Sequence, residues 1–144
     1  EGKYNGPLEM YYSDGTLQTK GFLAKGDYEG TLKKYYDNGN LKKELNFKNG
    51  IQNGPYKAYY ENGKLRIKIS YANGMRNGVL EKYFENGNLY VRANYIDNKE
   101  DGIFEKYYEN GQLESKQFYK NGKESQESEE YAENGNLKNK KSFN

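Results

Sequence analysis

Six leucines divide this 144-residue chain at equal intervals. Leu17, Leu41, Leu65, Leu89, Leu113 and Leu137 stand 24 residues apart. Two residues before each is a glycine (Gly15, Gly39, Gly63, Gly87, Gly111, Gly135), and six before each is a tyrosine (Tyr11, Tyr35, Tyr59, Tyr83, Tyr107, Tyr131). A strict period of this length marks a repeat array, in which each unit buries its apolar surface only against its neighbours. The chain therefore reads as a single repeat domain, 1–144, with units at about 5–28, 29–52, 53–76, 77–100 and 101–124 and a sixth at 125–144. The sixth is expected to be a degenerate cap. Gln126 replaces a glycine that recurs at Gly6, Gly30, Gly54, Gly78 and Gly102, and Ser128 and Ala132 stand where other units carry large apolar side chains. A third glycine series, Gly26, Gly50, Gly74 and Gly122, is broken by Asn98.

Two turn signals per unit leave two segments of six to eight residues, which suits strands and is too short for helices. Asp-Gly or Asn-Gly precedes every leucine, and such pairs tolerate the positive φ of a tight hairpin turn. The reading is all-β, one hairpin per unit, with a two-residue turn such as Asn110-Gly111. The second connection, KNGIQNG at 48–54, is expected to be a wider loop.

Register follows from the side chains, because a slip of one residue moves every side chain to the other face. A two-residue turn sets Tyr108 opposite Leu113, Lys106 opposite Ser115 and Phe104 opposite Gln117. One face then collects Leu8, Leu32, Tyr56, Leu80 and Phe104, the Tyr12, Tyr36, Tyr60, Phe84, Tyr108 series, the six leucines, Ile67, Ile69 and Val91, and Phe47, Tyr71, Tyr95 and Tyr119. A three-residue turn would bury the column Glu9, Lys33, Lys57, Glu81, Glu105 instead, at high cost. The two-residue register requires only that Lys34, Lys82 and Lys106 reach outward past the apolar face. It places Tyr11, Tyr35, Tyr59, Tyr83 and Tyr107 on the opposite face as a ladder with rungs about 10 Å apart. Gln18, Lys42, Arg66, Tyr90 and Glu114 are expected beside them across the hairpin.

Composition narrows the chemistry. The chain has no Cys and no His, so a thiol nucleophile, an imidazole base, a Cys/His zinc site and a disulfide framework are excluded. Apolar residues are only 33%, while Tyr and Gly number 17 each, so any core is thin and largely tyrosine. No apolar run approaches the roughly 18 residues of a membrane-spanning helix. Asp97 to Gly102 opens like a calcium loop, but Lys99 takes a ligand position and Tyr108 stands where a bidentate glutamate belongs. The carboxylates Glu61, Glu85, Glu109 and Glu133 recur at one turn position, so they share one environment, whereas acid–base catalysis needs two unlike ones. No metal, cofactor or catalytic residue is expected, and the chain is read as non-enzymatic.

The unit Y-Y-x-N-G-x-L, followed by an aromatic six residues on and N-G nine on, resembles the bacterial variant of the MORN repeat over essentially the whole chain. Five units match closely and the sixth partly. The resemblance implies an elongated twisted antiparallel sheet of six stacked β-hairpins without catalysis in the repeats. It also implies a protein-binding role, since the group includes YwqK-like antitoxin components of toxin–antitoxin systems. The lipid-head-group role described for MORN repeats transfers poorly, because this chain has no tryptophan and lacks the G-x-G spacing of the longer-known unit.

Net charge is +2, but it is uneven: residues 53–76 carry five basic side chains and one acidic. The expected contact face is the ladder Tyr11, Tyr35, Tyr59, Tyr83 and Tyr107 with Lys42 and Arg66, and the expected partner is a protein, a toxin or another acidic one. Nucleic acid is disfavoured by the weak overall charge, although tyrosine beside lysine can bind single strands. The alternative is an exported surface or glycan-binding repeat protein. An antitoxin-like protein would be cytoplasmic, and an export signal preceding Glu1 would place the chain at the surface. Edge strands at both ends would allow end-to-end self-association.

Overall fold

The computed structural model describes residues 2–142, which form one open antiparallel sheet with no helix among the described residues. The first two units supply β1 (Gly6–Tyr11), β2 (Leu17–Ala24), β3 (Asp27–Tyr28), β4 (Gly30–Tyr35), β5 (Leu41–Lys48) and β6 (Ile51–Gln52). The middle two supply β7 (Gly54–Tyr59), β8 (Leu65–Ala72), β9 (Met75–Arg76), β10 (Gly78–Tyr83) and β11 (Leu89–Ile96). Then come β12 (Lys99–Tyr107), β13 (Leu113–Lys120), β14 (Lys123–Tyr131) and β15 (Leu137–Lys141). Sheet order is β1-β2-β4-β5-β7-β8-β10-β11-β12-β13-β14-β15, while the short β3, β6 and β9 fold back on β2, β5 and β8. The all-β hairpin array is thus the fold. Residues 143 and 144 of the expected cap lie outside the described residues.

The two turns of each unit exchange the roles expected of them. The Tyr108 amide donates to the Gln112 carbonyl at 2.9 Å and the Gly111 amide to the Tyr108 carbonyl at 3.0 Å, so this loop has three residues, Glu109-Asn110-Gly111. Asn110 Oδ1 accepts the Gln112 amide at 2.9 Å, a local bond that holds the loop in this form. Gly111 closes it with φ 89°. The two-residue turn is at the other connection, where Asn49 (φ 51°) and Gly50 (φ 78°) both adopt the left-handed conformation. Asn98 occupies the corresponding glycine position with φ 70°, a conformation asparagine tolerates.

A three-residue loop should have carried the charged column to the core. A β-bulge prevents it. Tyr107 pairs with Leu113 but Lys106 pairs with Ser115, so Glu114 is an extra residue on its strand. Gln18, Lys42, Arg66, Tyr90 and Lys138 are extra in the same way. Beyond the bulge the pairing is the one a two-residue turn would give, with Phe104 opposite Gln117 and Leu80 opposite Ala93. Tyr108 therefore does not face Leu113. The bulge reconciles the loop that asparagine prefers with the register that burial demands.

The core lies at the centre of the array, on the face opposite the Tyr11, Tyr35, Tyr59, Tyr83, Tyr107 ladder. Ile69, Leu80, Ala93 and Tyr95 are buried together, with Tyr56, Ile67, Tyr71 and Phe104 packed against them. Leu32, Ala58 and Val91 are buried on the same face. The six periodic leucines are not core: five are half-buried and Leu137 is 54% exposed. They pair with Tyr11, Tyr35, Tyr59, Tyr83, Tyr107 and Tyr131, so they lie on the tyrosine face and not on the core face expected for them. The bulge that follows each leucine shifts the alternation by one residue.

Neighbouring units are stapled by side chain to backbone bonds. The hydroxyls of Tyr12, Tyr36 and Tyr60 donate to the carbonyls of Tyr35, Tyr59 and Tyr83, each at 2.6 Å, and Tyr108 does so to Tyr131 at 2.8 Å. Phe84 holds that place in the fourth unit and has no hydroxyl. Phe84→Tyr is expected to complete the series by bonding the Tyr107 carbonyl, raising stability by about 1 kcal/mol, and Tyr60→Phe to lower it by about as much, as read from denaturant midpoints.

Candidate functional site: the tyrosine face

The face opposite the core is open, and a row of charges crosses it from one edge of the sheet to the other. Cross-strand pairing sets Glu9 against Lys20, Lys20 against Lys33, Lys33 against Glu44 and Glu44 against Lys57. It continues through Lys68, Glu81, Arg92, Glu105, Lys116, Glu129 and Lys140. From Lys68 onward the signs alternate, and opposite charges facing across a ladder are favourable. In the first half they do not: Lys20 opposes Lys33 and Lys57 opposes Lys68. Like charges directly opposite are destabilising.

The tyrosine ladder runs beside this row. Tyr11 donates its hydroxyl to Glu9, and Tyr83, Tyr107 and Tyr131 donate to Glu81, Glu105 and Glu129 at 2.5, 2.5 and 2.6 Å. The residue two positions before Tyr35 and Tyr59 is Lys33 or Lys57, which cannot accept, and neither phenol is bonded to a carboxylate among the described residues. The ladder is therefore of two kinds. At four rungs the hydroxyl is tied to a carboxylate; at Tyr35 and Tyr59 it is not, although burial and then the charge of nearby Glu44 still push the Tyr59 phenol up.

The titration of the tied phenols reflects this. The Glu81 bond, then burial, pushes Tyr83 up to about 12, and burial followed by the Glu105 bond does the same for Tyr107. A phenol whose folded pKa lies above its unfolded value near 10 leaves stability unchanged below pH 10. Between about pH 10 and 12 the unfolded chain has lost the proton that the folded one keeps, so stability falls as pH rises. Glu81→Gln is expected to bring Tyr83 ionisation down toward its ordinary range and leave Tyr107 unmoved, checked by spectrophotometric phenol titration.

Lys42 and Arg66 are not on this face. The bulge turns their column onto the core face: Lys42 Nζ sits 5.5 Å from the Tyr36 ring centroid, and the Tyr90 ring is tilted against Phe84 at 4.6 Å between centroids. Arg66 exerts its field on Tyr56 and Lys43, both of that face. The residues facing the ladder across the hairpin are Leu17, Leu41, Leu65, Leu89 and Leu113. A bulge places two consecutive side chains against one partner, so strict alternation fails there. The seven proposed contact residues thus split into five tyrosines on one face and two cations on the other. The register read from the sequence already set the Lys33 and Lys57 column, two residues before the tyrosines, off the core face; what it did not show is the cross-strand pairing that brings Lys20 opposite Lys33 and Lys68 opposite Lys57.

The remaining candidates are engaged structurally. Asp97-Asn98 is a hairpin turn whose Oδ1 atoms accept from Asn77 Nδ2 at 3.0 Å and the Arg76 amide at 2.8 Å. Glu61, Glu85, Glu109 and Glu133 are exposed. The carbonyls of Glu61, Glu109 and Glu133 accept from turn asparagines of the preceding unit.

No curated protein matches the chain. The family model of the MORN repeat variant matches residues 28–49, 52–73, 76–97, 100–121 and 127–144. Its windows begin with the second unit and include the sixth, whereas the resemblance read from the residues favoured the first five. With hairpins, turn asparagines and paired tyrosines recurring through these windows, the chain belongs to the MORN repeat variant family.

Proposed function

We propose that this protein is a non-enzymatic scaffold that binds an acidic protein through the tyrosine face of its second and third units. MORN repeats are in general non-enzymatic repeat modules. The observation that carries the reading is the interruption in the charge row: within the row like cations face each other only at Lys20–Lys33 and Lys57–Lys68, and within the ladder, among the described residues, only the Tyr35 and Tyr59 phenols are unbonded to a carboxylate. An acidic surface laid there would neutralise an unfavourable pairing and give both hydroxyls an acceptor. Tyrosine supplies large contact area at small entropic cost. Toxin neutralisation is the specific role proposed, with the scaffold covering an acidic toxin surface in the cytoplasm.

The test is affinity capture from the native organism with the wild-type chain and with a Lys57→Glu/Lys68→Glu variant. The expected result is one stoichiometric acidic protein retained by the first and lost by the second. Recovery of no stoichiometric partner, or equal recovery by both, overturns the reading.

A further inference from the structure

The core face carries a cationic cluster that the tyrosine face does not use. Lys34 and Lys43 stand directly opposite each other across β4 and β5. Lys42, moved to this face by the bulge, lies over the Tyr36 ring. These three lysines line a shallow cleft of about 360 Å³ with Tyr12, Thr19 and Tyr28. Burial, then the charges of Lys34, Lys42 and Arg66, lower the pKa of Lys43. Among the described residues none of the four cations has a carboxylate within ion-pair distance; the ion pairs of the chain lie elsewhere. The Tyr12 hydroxyl is committed to the Tyr35 carbonyl, which leaves three ammonium groups as the charged donors of the cleft beside the neutral donors of Gln18, Thr19 and Tyr28.

The repeat supplies an internal comparison. In the fifth unit Lys106 corresponds to Lys34, Ser115 to Lys43 and Glu114 to Lys42. There the Glu114 carboxylate lies 3.5 Å from Lys106 Nζ. The same bulge position therefore brings a carboxylate to the lysine when the side chain there is acidic. In the second unit it brings another cation, and a third stands opposite.

We propose that the cleft of Lys34, Lys42 and Lys43 receives a carboxylate side chain of an acidic peptide segment, in the place that Glu114 fills in the fifth unit. Tyr35 also lines the cleft and its carbonyl accepts from Tyr12, but the three lysines stand on the face opposite the ladder, so the proposal does not rest on the ladder as a contact surface. Three converging cations attract and orient an anion more than they add raw affinity, so binding is strongest at low salt.

A hexaglutamate peptide titrated into the full chain at low salt, followed by calorimetry and by amide shifts at Tyr36 and Lys43, tests this. Lys42→Glu rebuilds the arrangement of the fifth unit, so the variant should fold with an unreduced melting temperature and bind the peptide about tenfold more weakly. Lys64→Glu makes the same change in net charge at an exposed turn position and should alter affinity by less than about twofold. Equal weakening by both variants would mean bulk charge attraction only and would overturn the site. Displacement of the peptide by inorganic phosphate at lower concentration than by free glutamate would overturn the carboxylate assignment.

Discussion

A fragment of residues 1–52 is expected to be unfolded in water, while residues 53–124 are expected to melt cooperatively. The difference follows from where the apolar contacts lie. The cluster of Ile69, Leu80, Ala93 and Tyr95, together with Tyr56, Ile67, Tyr71 and Phe104, falls wholly within units three to five. The first two units contribute only Leu32 to the buried apolar set, and they also contain the facing lysine pairs Lys20–Lys33 and Lys34–Lys43. In a linear array each unit is stabilised by its own contacts plus those with its immediate neighbours, so removing the apolar centre leaves strands whose ordering cost nothing offsets. Two hairpins alone are also fewer than the number at which such arrays become stable. Far-ultraviolet circular dichroism and thermal melts of both fragments check this. A cooperative melt from 1–52 would show that local hairpin stability, and not the central cluster, carries the fold.

What could be read before the fold was seen divides along physical lines. Alternation of apolar and charged residues specifies faces, because burying the Glu9, Lys33, Lys57, Glu81, Glu105 column is so costly that only one register survives. That argument placed Leu32, Ile69, Leu80, Val91 and Tyr95 on the core face, where they are buried. The turns were harder. Asn-Gly is compatible with both a two-residue and a three-residue loop, and the choice rests on whether the asparagine side chain accepts the amide two residues on, as Asn110 does from Gln112. The loop and the register then disagree by one residue, and the bulge that absorbs it has no signature in residue type: its extra residues are Gln18, Lys42, Arg66, Tyr90, Glu114 and Lys138. A period can be counted in a sequence, but a defect repeated at that period shows only in the pairing. This is why Lys42, Arg66 and the six periodic leucines were assigned to the wrong face while the ladder tyrosines were not.

Leu80→Ala is expected to destabilise the chain by about 2–4 kcal/mol, and Leu137→Ala by less than about 0.5 kcal/mol. The contrast is informative because the periodic leucine is invariant and looks like the core residue of the repeat, whereas the Leu80 position varies, its counterparts being Leu8, Leu32, Tyr56, Phe104 and Ser128. Leu80 is 6% exposed and packs with Ile69, Ala93 and Tyr95. Its truncation removes contacts from both sides along the sheet and opens a cavity that strands held by ladder bonds cannot close. A single-layer sheet has no second layer to settle into the gap, yet water reaches it more readily than in a sandwich, so the loss should fall short of the largest core truncations. Leu137, at the last hairpin and more than half exposed, has little burial to lose. Denaturant midpoints at equal slope measure both. If Leu137→Ala proved as costly as Leu80→Ala, the periodic leucine would be acting through the bulge geometry, and stability would then reside in the turn-proximal backbone of every unit rather than in one central cluster.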